Sequence, residues 1–203
     1  MQLSPLRQFL LAAALWLPLC FFLWAVLIAP LLLPVAKLSN LVLQQVMPDV
    51  IEMVEQDGAA FNVVTRLLTE PDASGRIGQL ILSSTPMIYA WCLPLFAGLV
   101  MASPVAVGQR LLHFAIGLPV LWLVISWGAV FDVFYLLQFK AGALGTAALE
   151  AHGFKSSMVG LGYQFGYLIL PTVTPVALWI MLNQGFVNQL VEFSREPESG
   201  DQV

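Results

Sequence analysis

Long runs without a charged residue divide the chain, and each is long enough to cross a bilayer. A helix needs about 20 apolar residues to span roughly 30 Å of hydrocarbon. No Asp, Glu, Lys or Arg occurs at 8–36, 77–109, 114–131 or 156–191. The pattern predicts four membrane-spanning helices, at residues 9–36, 87–103, 111–137 and 158–182.

The first apolar run begins as a secretory signal peptide does, because Arg7 precedes it. However, the run is longer than such a peptide requires, and no small-x-small cleavage site follows it. The sequence LPLC at 17–20 places a bulky leucine where lipoprotein processing needs a small residue. We therefore expect residues 9–36 to remain as an uncleaved anchor after an N-terminal tail at 1–8.

A more polar stretch, residues 37–86, separates the first two predicted spans and contains half of the acids of the chain. Within it, candidate strands at 50–56 and 60–69 flank Asp57-Gly58, a dipeptide typical of tight hairpin turns. A second turn is predicted at 70–76 and a third strand at 77–83. The alternative is that 50–56 continues a surface helix. We expect a small extracytoplasmic domain that contains a β-hairpin.

The remaining segments complete a simple architecture. A short loop at 104–110 and an extracytoplasmic loop at 138–157 connect the later spans, and residues 183–203 form an amphipathic, then disordered, tail. The predicted fold class is an all-α polytopic membrane protein with four transmembrane helices and a small β-rich extramembrane loop domain between helices 1 and 2.

Composition supports lipid as the main solvent of this chain. Of the 203 residues, 59% are hydrophobic and 10% are charged, whereas soluble domains are near 25% charged. The net charge of −4 and the scattered basic residues argue against nucleic acid as a partner. Membrane lipid is the expected partner.

The distribution of basic residues does not decide the orientation. Three arginines (Arg7, Arg110 and Arg195) lie on the N-terminal side, and five basic residues lie on the other. We expect both termini in the cytoplasm of a bacterial inner membrane, because Arg7 directly precedes the first span and a strand-rich loop is typically translocated.

Asp132 is the outstanding candidate for a functional residue, because a carboxylate near hydrocarbon costs about 2.5 to 3.5 kcal/mol on insertion scales unless it is paired or hydrated. Four crossings would place it on the same side as the loop domain. The expected polar cluster there contains Asp132 with Tyr89, Trp91, Tyr163, Gln164 and Tyr167. The alternative is an acid at interface depth within an ordinary aromatic belt.

Gly162 and Gly166 form a small-xxx-small pair, which permits close approach of another helix. That helix either belongs to this chain or to a partner. Cys20 and Cys92 fall in apolar helix and match no zinc spacing, so neither a disulfide nor a metal site is expected. No cofactor is implied, and no nucleophile with an adjacent base supports an enzyme.

Five segments together resemble the exosortase H-associated membrane proteins, over most of the chain. They are LPLCFFLW at 17–24, VEQDG at 54–58, PMIYAWCLP at 86–94, FD at 131–132 and GYQFGYLILP at 162–171. The resemblance implies a small bacterial inner-membrane protein that accompanies an exosortase, a multi-spanning cysteine transpeptidase whose substrates carry a C-terminal sorting helix. The chain does not resemble the peptidase itself, since Cys92 and Arg110 are about 27 Å apart along a helix.

Two functions follow as expectations. The first is an accessory protein that binds the sorting protease, the substrate sorting helix, or both. The alternative is a small transporter or channel subunit that forms an oligomeric pore, with Asp132 and Gln164 lining the path.

Overall fold

The computed structural model describes residues 4–69 and 77–195, so the predicted turn at 70–76 lies outside the described residues. The elements follow in this order: α1 (Pro5–Val46), β1 (Ile51–Asp57), β2 (Ala60–Leu68), β3 (Gln79–Ser84), a 3-10 helix (Pro86–Tyr89), α2 (Cys92–Ala102), α3 (Val107–Phe139), α4 (Gly142–Ala151), α5 (Ser156–Gln164), a π-helical turn (Phe165–Ile169), α6 (Leu170–Leu182) and α7 (Gln184–Arg195).

Helix α1 continues ten residues beyond the span predicted at 9–36. Its 42 residues extend about 63 Å at 1.5 Å per residue, roughly twice the thickness of the hydrocarbon. The helix runs through Pro18, Pro30 and Pro34 without ending. Because it is so long, its last turns extend beyond the hydrocarbon and contact the sheet.

The three predicted strands form one antiparallel sheet in the order β1-β2-β3, which confirms the small strand-rich unit. Asp57 pairs with Ala60 across the hairpin, and Gly58 supplies the required positive φ of 59°. The alternative helix at 50–56 is not formed. Alternate residues of β2, beginning with Phe61 and Val63, are buried against the helices.

The free edge of β1 is covered by polar side chains of α1. Asn40 Oδ1 accepts a hydrogen bond of 2.9 Å from the Val54 amide, and Gln44 Nε2 donates one of 2.5 Å to the Glu52 carbonyl. Unpaired edges of sheets are prone to non-native pairing unless something covers them. The extension of α1 therefore fixes the sheet on the helices instead of leaving it on a flexible tether.

The predicted number of four membrane spans is not confirmed. Among the described residues, three segments are long and apolar enough to cross a membrane: Pro5–Val46, Val107–Phe139 and Ser156–Leu182. The predicted second span consists of the 3-10 helix and α2, whose 11 residues rise only about 16 Å. This segment is apolar but shorter than the other three.

Helix α2 nevertheless occupies the centre of the helical bundle. A Cβ atom on Gly98 would lie 2.6 Å from Leu17 Cδ2 of α1, and one on Gly117 of α3 would collide with the ring of Phe96. Such close approaches let α2 pack between α1 and α3. One buried cluster surrounds α2, and a second joins the sheet to the ends of α1 and α3.

Candidate functional site

The carboxyl group of Asp132 is enclosed where β3 meets the helices. Asp132 is 8% exposed, and Ser84 Oγ donates a hydrogen bond of 2.5 Å to its Oδ2 atom. The backbone amide of Thr85 donates to the same carboxyl group. Because a carboxyl group beside hydrocarbon needs hydrogen-bond donors, these two contacts explain how Asp132 is accommodated.

The four tyrosines of the chain form one connected cluster, in which Tyr89 and Tyr163 lie near this acid. The rings of Tyr135 and Tyr163 stack with centroids 4.6 Å apart, and Tyr163 and Tyr167 are 6.1 Å apart. Tyr89 meets Tyr167 edge to face at 6.1 Å. Three of these tyrosines belong to the cluster expected from the sequence, and Tyr135 was missed.

The turn after β3 positions the other half of the site. Ser84 is the last residue of β3, and Pro86 opens the 3-10 helix that ends at Tyr89. Tyr89 is fully buried, and its ring lies over Gly128, where a Cβ atom would be 2.6 Å from Tyr89 Cγ. The Tyr89 hydroxyl group is near Asp132 and Tyr163 but makes no hydrogen bond of good geometry.

The outer part of the cluster is accessible from the surroundings. Tyr167 is 43% exposed, Gln164 is exposed and Trp91 is half-buried. Met87 and Ile88 of the 3-10 helix are also exposed. We call these five residues the rim of the site. The rim combines apolar surface with one amide group and one phenol group. The hydrogen-bonded Asp132 holds the inner part of the cluster in place.

Gly162 and Gly166 both face α3. A Cβ atom on Gly162 would collide with the ring of Phe131, and one on Gly166 would lie 3.0 Å from Trp127 Cδ1. Trp127 Nε1 also donates a hydrogen bond of 3.2 Å to the Gly162 carbonyl. Packing within the chain, one of the two alternatives for this pair, therefore accounts for both glycines.

The helix that carries these residues changes its winding between the glycines and the prolines. Residues Phe165–Ile169 form a π turn, and Pro171, which has no N–H group to donate, follows at the start of α6. A π turn widens the helix locally. It shifts the register after Gln164, and Tyr167 within it contacts Tyr89.

Cys92 and Arg110 lie at opposite ends of α2. Cys92 is fully buried beside Tyr89, with Sγ 3.4 Å from the Tyr89 carbonyl. Arg110 contacts Ser103 at the opposite end of α2. Both cysteines are free, and among residues 4–69 and 77–195 no three His, Cys, Asp or Glu side chains are grouped to hold a metal ion. The described residues of the site can orient a bound group and form hydrogen bonds with it.

Apolar helices of this length, joined to a small sheet by a buried acid, define a multi-pass membrane protein. The family model of the exosortase H-associated membrane proteins matches residues 3–186, and the chain belongs to this family. The resemblance seen in five short segments is thereby confirmed. Neither a curated protein nor a solved structure matches the chain.

The hydrogen-bond partner Ser84 and the neighbouring Tyr135 of Asp132 were not predicted from the sequence. Ser84 lies 48 residues before Asp132, and nothing in the local pattern connects them. A weak signal was present, since a run of hydroxyl residues ending at Thr85 stands directly before Pro86. Tyr135 had a clearer one, because it lies one helical turn after Asp132 and so shares its face.

Proposed function

We propose that this chain is a non-catalytic accessory protein of the bacterial inner membrane that binds an exosortase-type protease, the sorting helix of its substrates, or both, through the rim. Membership of an exosortase-associated family supports the association with such a system. The observation that carries the choice of surface is the connected cluster of four tyrosines beside the hydrogen-bonded Asp132, in which Tyr167 is exposed.

Exposed apolar side chains alone do not mark a docking surface in a membrane, because lipid covers them equally well. The rim differs in its polar groups. Gln164 and Tyr167 are exposed, as is the apolar Ile88, and such polar groups form hydrogen bonds between helices in lipid. Residue types of this kind suit a partner helix with polar or small residues on one face.

Asp132 has a positioning role in this proposal. Its carboxyl group receives hydrogen bonds from Ser84 and Thr85, so it connects the sheet to α3 beneath the rim. The transport alternative needs this group to exchange protons with a path across the membrane. Hydrogen bonding to Ser84 favours the structural role instead.

Four crossings, with both termini in the cytoplasm, remain our proposal for the topology. Ser103 contacts Arg110, whereas Tyr89 lies over Gly128. Eighteen residues of α3 separate these two contacts, about 27 Å at 1.5 Å per residue. The segment from Tyr89 to Ser103 thus lies beside a long stretch of α3, and this arrangement supports a fourth crossing although α2 alone is short.

Site-specific photo-crosslinking in the native host tests the partner. A photoreactive residue replaces Tyr167 in the rim, and a matched control replaces Leu41, which is exposed on α1. We expect adducts to an exosortase-type protease or to a C-terminal sorting helix from position 167, and far fewer from position 41. Adducts only to lipid or to the chain itself at both positions would refute the proposed binding surface.

Cysteine labelling tests the topology. In a background without Cys20 and Cys92, single cysteines replace Asp57 at the hairpin and Gln109 at the start of α3. Labelling of intact cells with an impermeant maleimide should modify position 57 and spare position 109. Equal labelling of both positions would place them on one side of the membrane and contradict a crossing by the second predicted span.

A further inference from the structure

A polar cavity of about 310 Å³ lies at the end of the bundle opposite the sheet. It is formed by the α2–α3 connection, the first turns of α3, the end of α6 and the first turns of α7. Its lining residues are Pro104, Val105, Gln109, His113, Leu182, Asn183, Gly185, Phe186 and Gln189. Its volume is at the lower end of the range for small-molecule sites.

Two buried side chains in this lining each have one polar atom without a hydrogen-bond partner. His113 is 6% exposed and Asn183 is 4% exposed. His113 Nδ1 and Asn183 Oδ1 make no hydrogen bond, while Asn183 Nδ2 donates one of 2.9 Å to the Trp179 carbonyl. Buried polar atoms are rarely left unpaired, because each lost hydrogen bond is costly. A ligand with its own donors and acceptors would satisfy them.

The surroundings favour a ligand that carries negative charge. Among the residues whose side chains the structure describes, no Asp or Glu lines the cavity. Helix α7 begins at Gln184, and Gly185 and Phe186 in its first turn line the cavity, so the N–H groups that a helix leaves free at its start are adjacent. Arg110, next to Gln109, donates to the Ser103 carbonyl and has a buried Nε atom without a partner.

Asn183 adds a second requirement. Its free Oδ1 atom accepts hydrogen bonds and therefore needs a donor, which a bare phosphate diester does not provide. A headgroup that combines phosphate oxygens with an ammonium or hydroxyl group meets both needs. The cavity lies where α3 begins and the last spanning segment ends, the depth at which lipid headgroups are found.

We propose that this cavity binds a phosphodiester headgroup that also carries a hydrogen-bond donor, as phosphatidylethanolamine and phosphatidylglycerol do. The phosphate accepts from the start of α7 and from the Gln109 amide, and the donor pairs with Asn183. The same chemistry is present in soluble glycerophosphodiesters. The proposal is independent of the protease and of the rim.

Native mass spectrometry of the purified full-length protein in detergent measures binding of dioctanoyl phosphatidylethanolamine, with dioctanoyl phosphatidylcholine as the matched lipid. Phosphatidylcholine has the same phosphate and chains but no N–H donor. We expect phosphatidylethanolamine to bind about tenfold more tightly, which corresponds to one buried hydrogen bond. Asn183→Leu should abolish this preference, and Gln45→Leu, at an exposed position of α1 near the sheet, should preserve it.

Further variants make the outcome decisive. Gln109 is exposed, so Gln109→Leu leaves the fold intact if Asn183→Leu does not fold, and it should weaken binding of both lipids. Glycerophosphoethanolamine tests whether the headgroup comes from a lipid or from a soluble compound. If this soluble compound binds, the site is supported and its ligand is soluble. If only the lipids bind, the site is supported and its ligand is a membrane lipid. Equal affinity for both lipids, or wild-type binding by Gln109→Leu, would overturn the proposal.

Discussion

The hydrogen bond between Ser84 and Asp132 connects the sheet to α3, and its removal should be measurable as a coupling energy. Ser84→Ala removes the donor and Asp132→Ala removes the acceptor, and the double variant removes both. If the contact stabilises the fold, Ser84→Ala should be costly in the wild-type protein and nearly neutral when residue 132 is already alanine.

The structure sets the size of the effect. Hydrogen bonds between membrane helices are worth up to about 1.7 kcal/mol in the free energy of unfolding, and hydrogen bonds to charged groups about 1.5 to 3 kcal/mol. The Ser84–Asp132 bond is buried, with an oxygen–oxygen distance of 2.5 Å. We therefore expect a coupling energy of about 1.5 kcal/mol or more.

Unfolding in mixed detergent micelles, followed by tryptophan fluorescence, measures the four free energies of the cycle. Ser83→Ala serves as the matched control, because Ser83 is the adjacent residue of β3 and is exposed. It should change stability by less than about 0.5 kcal/mol. Additive effects of the Ser84 and Asp132 substitutions, within about 0.5 kcal/mol, would refute the idea that this bond joins the sheet to the helices.

Two further predictions concern packing and pH. Gly162→Ala should lower the unfolding temperature, because the added Cβ atom would collide with the ring of Phe131 on α3. Gly160→Ala should be neutral or stabilising, because a Cβ atom there meets open space. Equal effects of the two substitutions would contradict packing of this helix face on α3. The Ala148 carbonyl and, to a smaller extent, the Asp49 carboxylate raise the pKa of His152. The Nδ1 atom of His152 lies 2.8 Å from the Ala148 carbonyl oxygen. Its Nε2 atom lies 2.8 Å from Asp49 Oδ1. This stabilisation is full below the unfolded histidine pKa near 6.5 and is lost as pH rises through the raised value. Stability measured against pH should therefore fall in that window in the wild-type protein but not in His152→Ala.

Much of the architecture was predictable because it depends on local patterns. A long run without charged residues indicates that its side chains are not in water, whatever the rest of the chain does. Three of the four predicted spans are indeed long helices. The hairpin was equally local, since Asp57-Gly58 supplies its turn in two adjacent residues.

The limits of prediction follow from the same reasoning. Hydropathy does not show where a helix leaves the lipid and continues in water. The extension of α1 to Val46 was therefore missed, because the polar residues there form hydrogen bonds with the sheet. Hydropathy does not separate a short buried helix from a spanning helix either, so the second span was predicted from its charge-free run and is not confirmed.

The amino-acid sequence by itself determined that this chain belongs in a membrane, that a small sheet follows its first helix, and that Asp132 requires an explanation. These properties depend on composition and on spacings of a few residues. Only the tertiary structure decided that Ser84 supplies the donor to Asp132, that the tyrosines converge, and that Gly162 faces α3. Each of these depends on which surfaces meet after the chain has folded, and contacts between residues dozens of positions apart leave no periodic trace in the sequence.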